Sequence, residues 1–181
     1  MSTVPFIEVS RLPQDVEDFV ALRDQVATTP QGGAAMLVIA LLLCAKNEDL
    51  GRQCLTVAAD RDRLQEGPGG YRNWELRARD MRLIDMQIKA MPHLPRSYIQ
   101  GATPENGYRL PDPPYRFRFD PNPYGGDPAA GVFKAFLECS GASNPRPVML
   151  RRNDKGLWKG CEWSSLIVGI REPVEPVVDD L

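Results

Sequence analysis

Residues 34–45 run for twelve positions without a charged or strongly polar side chain, through Met36, Leu37, Val38, Ile39, Leu41, Leu42 and Leu43. Crossing a bilayer takes about 20 such residues, so the run is too short to span one. A helix apolar on every side offers no face to water and must be enclosed by the rest of its chain. The sequence therefore predicts an interior helix over 34–46, at the centre of a core and not inserted in a membrane. Thr29-Pro30-Gln31-Gly32-Gly33 reads as a break in the chain just before it.

The neighbouring patterns supply the layers that would enclose this rod. Residues 12–27 place Val16, Phe19, Val20, Val26 and Ala27 on one helical stripe, with Asp15, Glu17 and Asp18 at the positive end of the dipole. Residues 48–59 carry Leu50, Cys54, Val57 and Ala58 at helical spacing. Gly67-Pro68-Gly69-Gly70 reads as a loop, and 74–91 as a fourth helix with Met81, Ile84, Ile88 and Met91 along one side. On that helix Glu75–Arg79 and Asp85–Lys89 are i, i+4 pairs.

The period then changes. From Pro92 to Pro128 there are nine prolines in 37 residues, each fixing φ and removing a donor. The same stretch holds Tyr98, Ile99, Tyr108, Tyr115, Phe117 and Phe119, enough apolar surface to pack down as an ordered wrap. Asn106-Gly107 suits a turn. Alternation at 115–119, 132–139, 148–152, 157–162 and 163–170 predicts about five short strands, the third and fourth joined as a hairpin at Asn153-Asp154-Lys155-Gly156. Helices first and strands afterwards favour an α+β fold. The expected organisation is an N-terminal extension (1–11), a single α+β domain (12–171) and a flexible acidic tail (172–181). Within the domain, a helical part (12–91) is followed by a Pro-rich wrap (92–130) and a β part (131–171). That last part is an antiparallel sheet or a small half-open barrel.

Charge and cysteine usage narrow the function classes. Lys and Arg total 22 against 24 Asp and Glu, a net charge of −2. Nucleic-acid binding driven by phosphate neutralisation wants a concentrated basic face, so nucleic acid is not an expected partner, although Arg116, Arg118, Arg151 and Arg152 could line one face of the sheet. Cys44, Cys54, Cys139 and Cys161 are spaced 10, 85 and 22 apart with no Cys-x-x-Cys, which suits buried reduced thiols better than a zinc site. No basic and apolar leader opens the sequence, so the expected location is cytoplasmic.

No motif for a nucleotide, metal or other cofactor is found, and none is expected. His93 is the single histidine, so triads and His-rich metal sites have no base or ligand to draw on. Asp60-x-Asp62 with Glu66 fails the calcium-loop template, and Arg61 and Arg63 are the expected partners of those acids. Arg72, Arg77, Arg79 and Arg82 could clamp an anion, against the plainer reading of a solvated face paired with Glu75, Asp80 and Asp85.

Two segments carry a resemblance. Ser97-Tyr98-Ile99-Gln100-Gly101-Ala102-Thr103-Pro104-Glu105-Asn106-Gly107-Tyr108, continuing to Tyr115, and Trp158-Lys159 with 162–169, resemble a family of bacterial proteins known as a domain of unknown function. The resemblance runs from about residue 33 to 173 and implies a bacterial origin, with no reaction or site residues to carry over. The residues themselves make 98–112 the distinctive loop. Tyr98, Gln100, Thr103, Glu105, Asn106, Tyr108 and Arg109 are its candidate contacts to a ligand or partner. The leading expectation is a non-catalytic interaction or accessory module, its partner another protein. The alternative is an enzyme or binding protein for a small anionic ligand, with Glu105 or Asp112 as acid or base and Arg109 or Arg96 as clamp.

Overall fold

In the computed structural model, residues 6–176 are described. Helix α1 (Val16–Val26) is capped by the Asp15 carboxylate, which accepts from Asp18 N. Helix α2 (Pro30–Lys46) leads through Asn47 directly into α3 (Glu48–Ala58). All of α2 from Gly32 to Leu43 is buried. One side of it packs on α3 and the other on the sheet. The interior rod is therefore enclosed as its composition requires.

The helix begins four residues earlier than its hydropathy suggests. Pro30 sits in the first turn, where its missing N–H costs nothing, and the Thr29 hydroxyl accepts from Gly32 N. The two glycines that read as a break are helical because of what they touch. A Cβ on Gly32 would overlap the Val26 carbonyl, and one on Gly33 would lie 2.6 Å from Trp158 O. They let two other backbones approach the buried rod.

Strands β1 (Phe6–Val9), β4 (Tyr115–Asp120), β5 (Val132–Leu137), β6 (Arg146–Arg152) and β7 (Trp158–Glu162) form one antiparallel sheet in the order β1-β4-β5-β6-β7. The fold is α+β, and β1 and β7 are the two edges of its antiparallel sheet. Two members differ from expectation. Phe6–Val9, assigned to an N-terminal extension, pairs with β4 and forms one edge. Residues 163–170, expected as a strand, instead make a 3₁₀ turn at Ser164–Ile167, because their carbonyls are engaged by side chains described below.

A second hairpin, β2 (Leu64–Tyr71) with β3 (Trp74–Leu76), replaces the expected Gly-Pro loop and the first turn of the fourth helix. Arg72 and Asn73, at φ 51° and 63°, make its turn. A bulge between Glu66 and Tyr71 absorbs the Gly-Pro-Gly-Gly run, and Glu75 reaches back to accept from Gly69 N. Helix α4 therefore runs over Ala78–Ala90. Neither expected i, i+4 pair on it forms: Glu75 accepts from Gln65, and Asp85 pairs with Arg52 at 2.8 Å.

Residues 92–130 form the ordered wrap, stepping through short 3₁₀ turns at Leu94–Tyr98 and Pro104–Asn106 before β4 and at Pro123–Gly125 and Pro128–Ala130 after it. Asn106-Gly107 is a turn as expected, with Gly107 in the left-handed region at φ 68°. Residues 172–176 continue in irregular structure, with Val174 N donating to Pro104 O, whereas 177–181 of the expected tail lie outside the described residues.

Candidate functional site

A cavity of about 370 Å³ opens where the wrap meets the sheet, between residues 97–101, Arg118 of β4, residues 138–140 just after β5, and 142–145. Backbone bonds fix its walls. Gln100 N donates to Arg116 O, Glu138 N to Arg118 O and Ser140 N to Ser97 O, each at 2.9 Å. The turn Leu94–Tyr98 is thereby stitched to the strand ends.

Three of the hydroxyl and thiol groups around this cavity already serve those walls, whereas Ser143 is exposed. Ser97 Oγ donates to Leu94 O at 2.7 Å, Ser140 Oγ donates to Ala102 O at 2.7 Å, and Cys139 Sγ donates to Ser97 Oγ at 3.3 Å. No general base adjoins them. The one carboxylate in the cavity wall, on Glu138, lies 3.8 Å from Arg118 Nε. Both partners of that contact are 47% exposed, so it is a loose pair worth little by itself. The Arg118 fork is thus held weakly, whereas Ser97, Cys139 and Ser140 are committed.

Beneath the cavity lies a buried polar knot. Tyr98 Oη donates to Leu166 O at 2.7 Å and accepts from Arg146 Nη1 at 3.1 Å. Arg146 also donates to Val168 O at 3.0 Å and Gly169 O at 2.6 Å, with no carboxylate partner among the described residues. A guanidinium this enclosed is tolerable only because several acceptors surround it. These bonds hold residues 166–169 out of the sheet. Burial pushes the Tyr98 phenol up from its ordinary pKa, and the Arg146 charge opposes that shift.

Tyr108 makes a second anchor. Its backbone sits at φ 56°, a left-handed conformation uncommon for a bulky residue. Tyr108 N donates to Thr103 O at 2.8 Å and Oη to Arg171 O at 2.6 Å, which hold it there. The ring stacks on His93 with centroids 5.1 Å apart. A Cβ on Gly141 would stand 2.6 Å from the Tyr108 oxygen, so this crossing needs glycine. Burial raises the Tyr108 phenol pKa as well.

A profile of the family described as a domain of unknown function, DUF6935, matches residues 11–174. The chain belongs to this family. No curated protein and no solved structure matches it.

In this DUF6935 chain the seven candidate contacts separate. Tyr98 and Tyr108 are core residues, 2% and 0% exposed, and their rings complete the interior. Asn106 is saturated, its Oδ1 accepting from Thr103 N and Arg109 N and its Nδ2 donating to Gly101 O. Thr103 belongs to the same turn. Glu105 and Arg109 are exposed and stand outside the cavity wall, as do Asp112 and Arg96. Of the seven, Gln100 and Tyr98 line the cavity. The carboxylate and arginine that converge in this cleft are Glu138 and Arg118. Sequence reasoning missed that pair because Arg118 lies in β4 and Glu138 just beyond the end of β5, 20 residues apart. Alternation of Arg116 and Arg118 with Phe117 and Phe119 was the available signal that Arg118 faces away from the core.

The arginines that might have formed a basic stripe are mostly answered within the DUF6935 fold. Arg116 pairs with Glu8 at 2.8 Å, and Arg151 bridges Asp60 and Asp62 at 2.9 and 2.5 Å. Asp60 and Asp62 thus pair with Arg151, and not with Arg61 or Arg63 as expected; Arg61 lies over the Trp74 ring. The four cysteines are free, and burial raises the Cys44 and Cys54 thiols to about 12. Among the described residues, no three His, Cys, Asp or Glu side chains gather as metal ligands. Among the described residues, no helix is long and apolar enough to cross a membrane.

Proposed function

We propose that this protein is a non-catalytic binding module of the bacterial cytoplasm, acting on neither membrane nor nucleic acid. Its site is the cleft between 97–101 and 138–145, and its ligand is a small molecule with an anionic group. The observation that carries this reading is the contrast inside the cleft. Ser97, Cys139 and Ser140 are committed to hydrogen bonds within the walls, whereas Arg118 is held by one carboxylate at 3.8 Å. An anion arriving at that fork gains charge-assisted hydrogen bonds without breaking a strong pair. A volume near 370 Å³ suits a small ligand. Gln100 and Asn144 supply neutral amides to orient it.

The test is a chemical-shift titration of the full chain with acetate and with succinate at constant ionic strength. Saturable shifts at Gln100, Arg118 and Asn144, lost in Arg118→Gln, would support the assignment. Shifts that stay linear in concentration, or that persist in Arg118→Gln, would remove it.

A further inference from the structure

The ion pair in the cleft differs from the others in the molecule. Among the described residues every other ion pair is closed to 2.9 Å or less, as in Arg52–Asp85, Arg63–Asp80 and Arg116–Glu8. Arg118 Nε and Glu138 Oε2 stand 3.8 Å apart, beyond hydrogen-bond reach. Neither side chain makes a hydrogen bond to another described residue. Two opposite charges therefore line one cavity with their hydrogen-bonding capacity unspent on the protein.

A simple anion is only half a match for this pair. At the Arg118 fork it would also meet the like charge of Glu138 in the same wall. A simple cation meets the converse problem at Arg118, and a second positive charge stands behind the cleft. Buried Arg146 donates to Tyr98 Oη beneath the cavity and has no carboxylate partner among the described residues. A molecule carrying both charges escapes both repulsions. The 3.8 Å gap limits how far apart those charges can lie. In an α-amino acid both groups hang from one carbon, so carboxylate and ammonium reach neighbouring partners together. A longer zwitterion must fold back to do so, at a cost in rotamer freedom. In a peptide the two groups lie at least one residue apart.

We propose that the cleft binds a free α-amino acid, with its carboxylate on the Arg118 fork and its ammonium on the Glu138 carboxylate. This assignment rests on the reading of Arg118 as an anion site given above. Gln100, Ser143 and Asn144 also line the cleft, and their side chains make no hydrogen bond to another described residue. They supply the further donors and acceptors that both ends of such a ligand need. Ile99, Ala142 and Pro145 add apolar wall for its side chain.

The experiment follows amide chemical shifts of the full chain during titration with L-alanine, propionate, L-alaninamide and β-alanine, with sodium chloride holding the ionic strength constant. Propionate lacks the ammonium group, L-alaninamide lacks the carboxylate charge, and β-alanine keeps both but sets them one carbon further apart. L-Alanine should give saturable shifts at Gln100, Glu138 and Asn144. It should bind about threefold to fivefold tighter than propionate or β-alanine, the scale of one half-exposed ion pair. L-Alaninamide should not saturate. Glu138→Gln should erase the advantage of L-alanine over propionate while propionate still binds, and Arg118→Gln should weaken both. A merely structural role of Glu138 would alter all ligands alike, so the change in selectivity is the decisive readout. Both side chains are half exposed and loosely paired, so the two variants should melt close to the parent. Equal binding of L-alanine and propionate, equal binding of L-alanine and β-alanine, or an advantage for L-alanine that survives in Glu138→Gln would overturn the amino-acid assignment and leave the anion site standing. Saturation by none of the four ligands would overturn both readings.

Discussion

Helix α2 and the 94–108 segment both send side chains into the core, but different forces hold them. Along α2 the contacts are apolar and without direction, and what matters is that the volume is filled. Along 94–108 the buried residues include Tyr98, Ser97 and Tyr108, each of which places an oxygen on a particular carbonyl. The helix supplies the interior that the sheet closes over. The wrap supplies the geometry of the cleft, since its turn and the strand ends form the walls. Fold and site therefore rest on different chemistry within one core.

That contrast predicts two different sensitivities. In α2, Leu37 is 1% exposed and packs against Gly160 of β7. Leu37→Ala should cost about 3–4 kcal/mol in urea denaturation, the range for cavity-forming core substitutions. Leu37→Met, which conserves volume, should cost less than about 1.5 kcal/mol. Equal losses from the two would mean that the helix is held by something other than packing.

The wrap should respond the other way, to a lost donor more than to lost volume. Arg146→Met keeps much of the side-chain bulk but leaves Tyr98 Oη, Val168 O and Gly169 O short of a donor. A loss of about 2–3 kcal/mol is expected, as for a buried polar network broken on one side. Tyr98→Phe removes one oxygen and should cost about 1 kcal/mol. Amide exchange should quicken first at 166–170 in both variants, ahead of α2. Uniform quickening across the molecule would show that the knot is not a local clamp.

The two regions were also unequally legible. Periodicity and hydropathy located all four helices and four of the five sheet strands, because each pattern is local and its burial follows from composition. Phe6–Val9 escaped since a four-residue edge strand has too short a pattern to register. The β2–β3 hairpin was hidden by glycines that usually break strands, and its bulge depends on Glu75, six residues beyond Gly69. Residues 163–170 alternate like a strand, yet long-range donors from Tyr98 and Arg146 take their carbonyls. The cleft was half visible. The turn residues were read, and the apolar wrap was recognised as packed. Convergence of Arg118 with Glu138, however, is a product of strand pairing, which no local pattern records. Arg77 and Arg79 were read as a solvated, paired face because the acids nearby in sequence suffice on a count. Only the fold shows those acids taken by other partners.

Lys159 tests the boundary between the helical layer and the sheet. It projects from β7 to donate to Val57 O in the last turn of α3. Burial lowers its pKa to about 8, aided by Arg23 and opposed by Asp60 and Asp24. An unfolded lysine titrates near 10.4, so between about pH 8 and 10.4 the unfolded chain holds a proton that the folded chain has released. Stability contributed through this group must therefore rise with pH across that window, and below it the full cost of burying the charge is present. Cys44 and Cys54 act oppositely, because their buried thiols stay neutral where unfolded ones ionise. The raw pH profile mixes these contributions, and the difference between parent and Lys159→Met separates them. The variant should gain on the parent most below pH 8, with the gap narrowing by at most about 2 kcal/mol towards pH 10. Loss of the bond to Val57 shifts the level of that difference but not its slope, since a neutral amine still donates. A difference that stays flat across the window would mean that Lys159 reaches water, and that the seam between α3 and β7 is open.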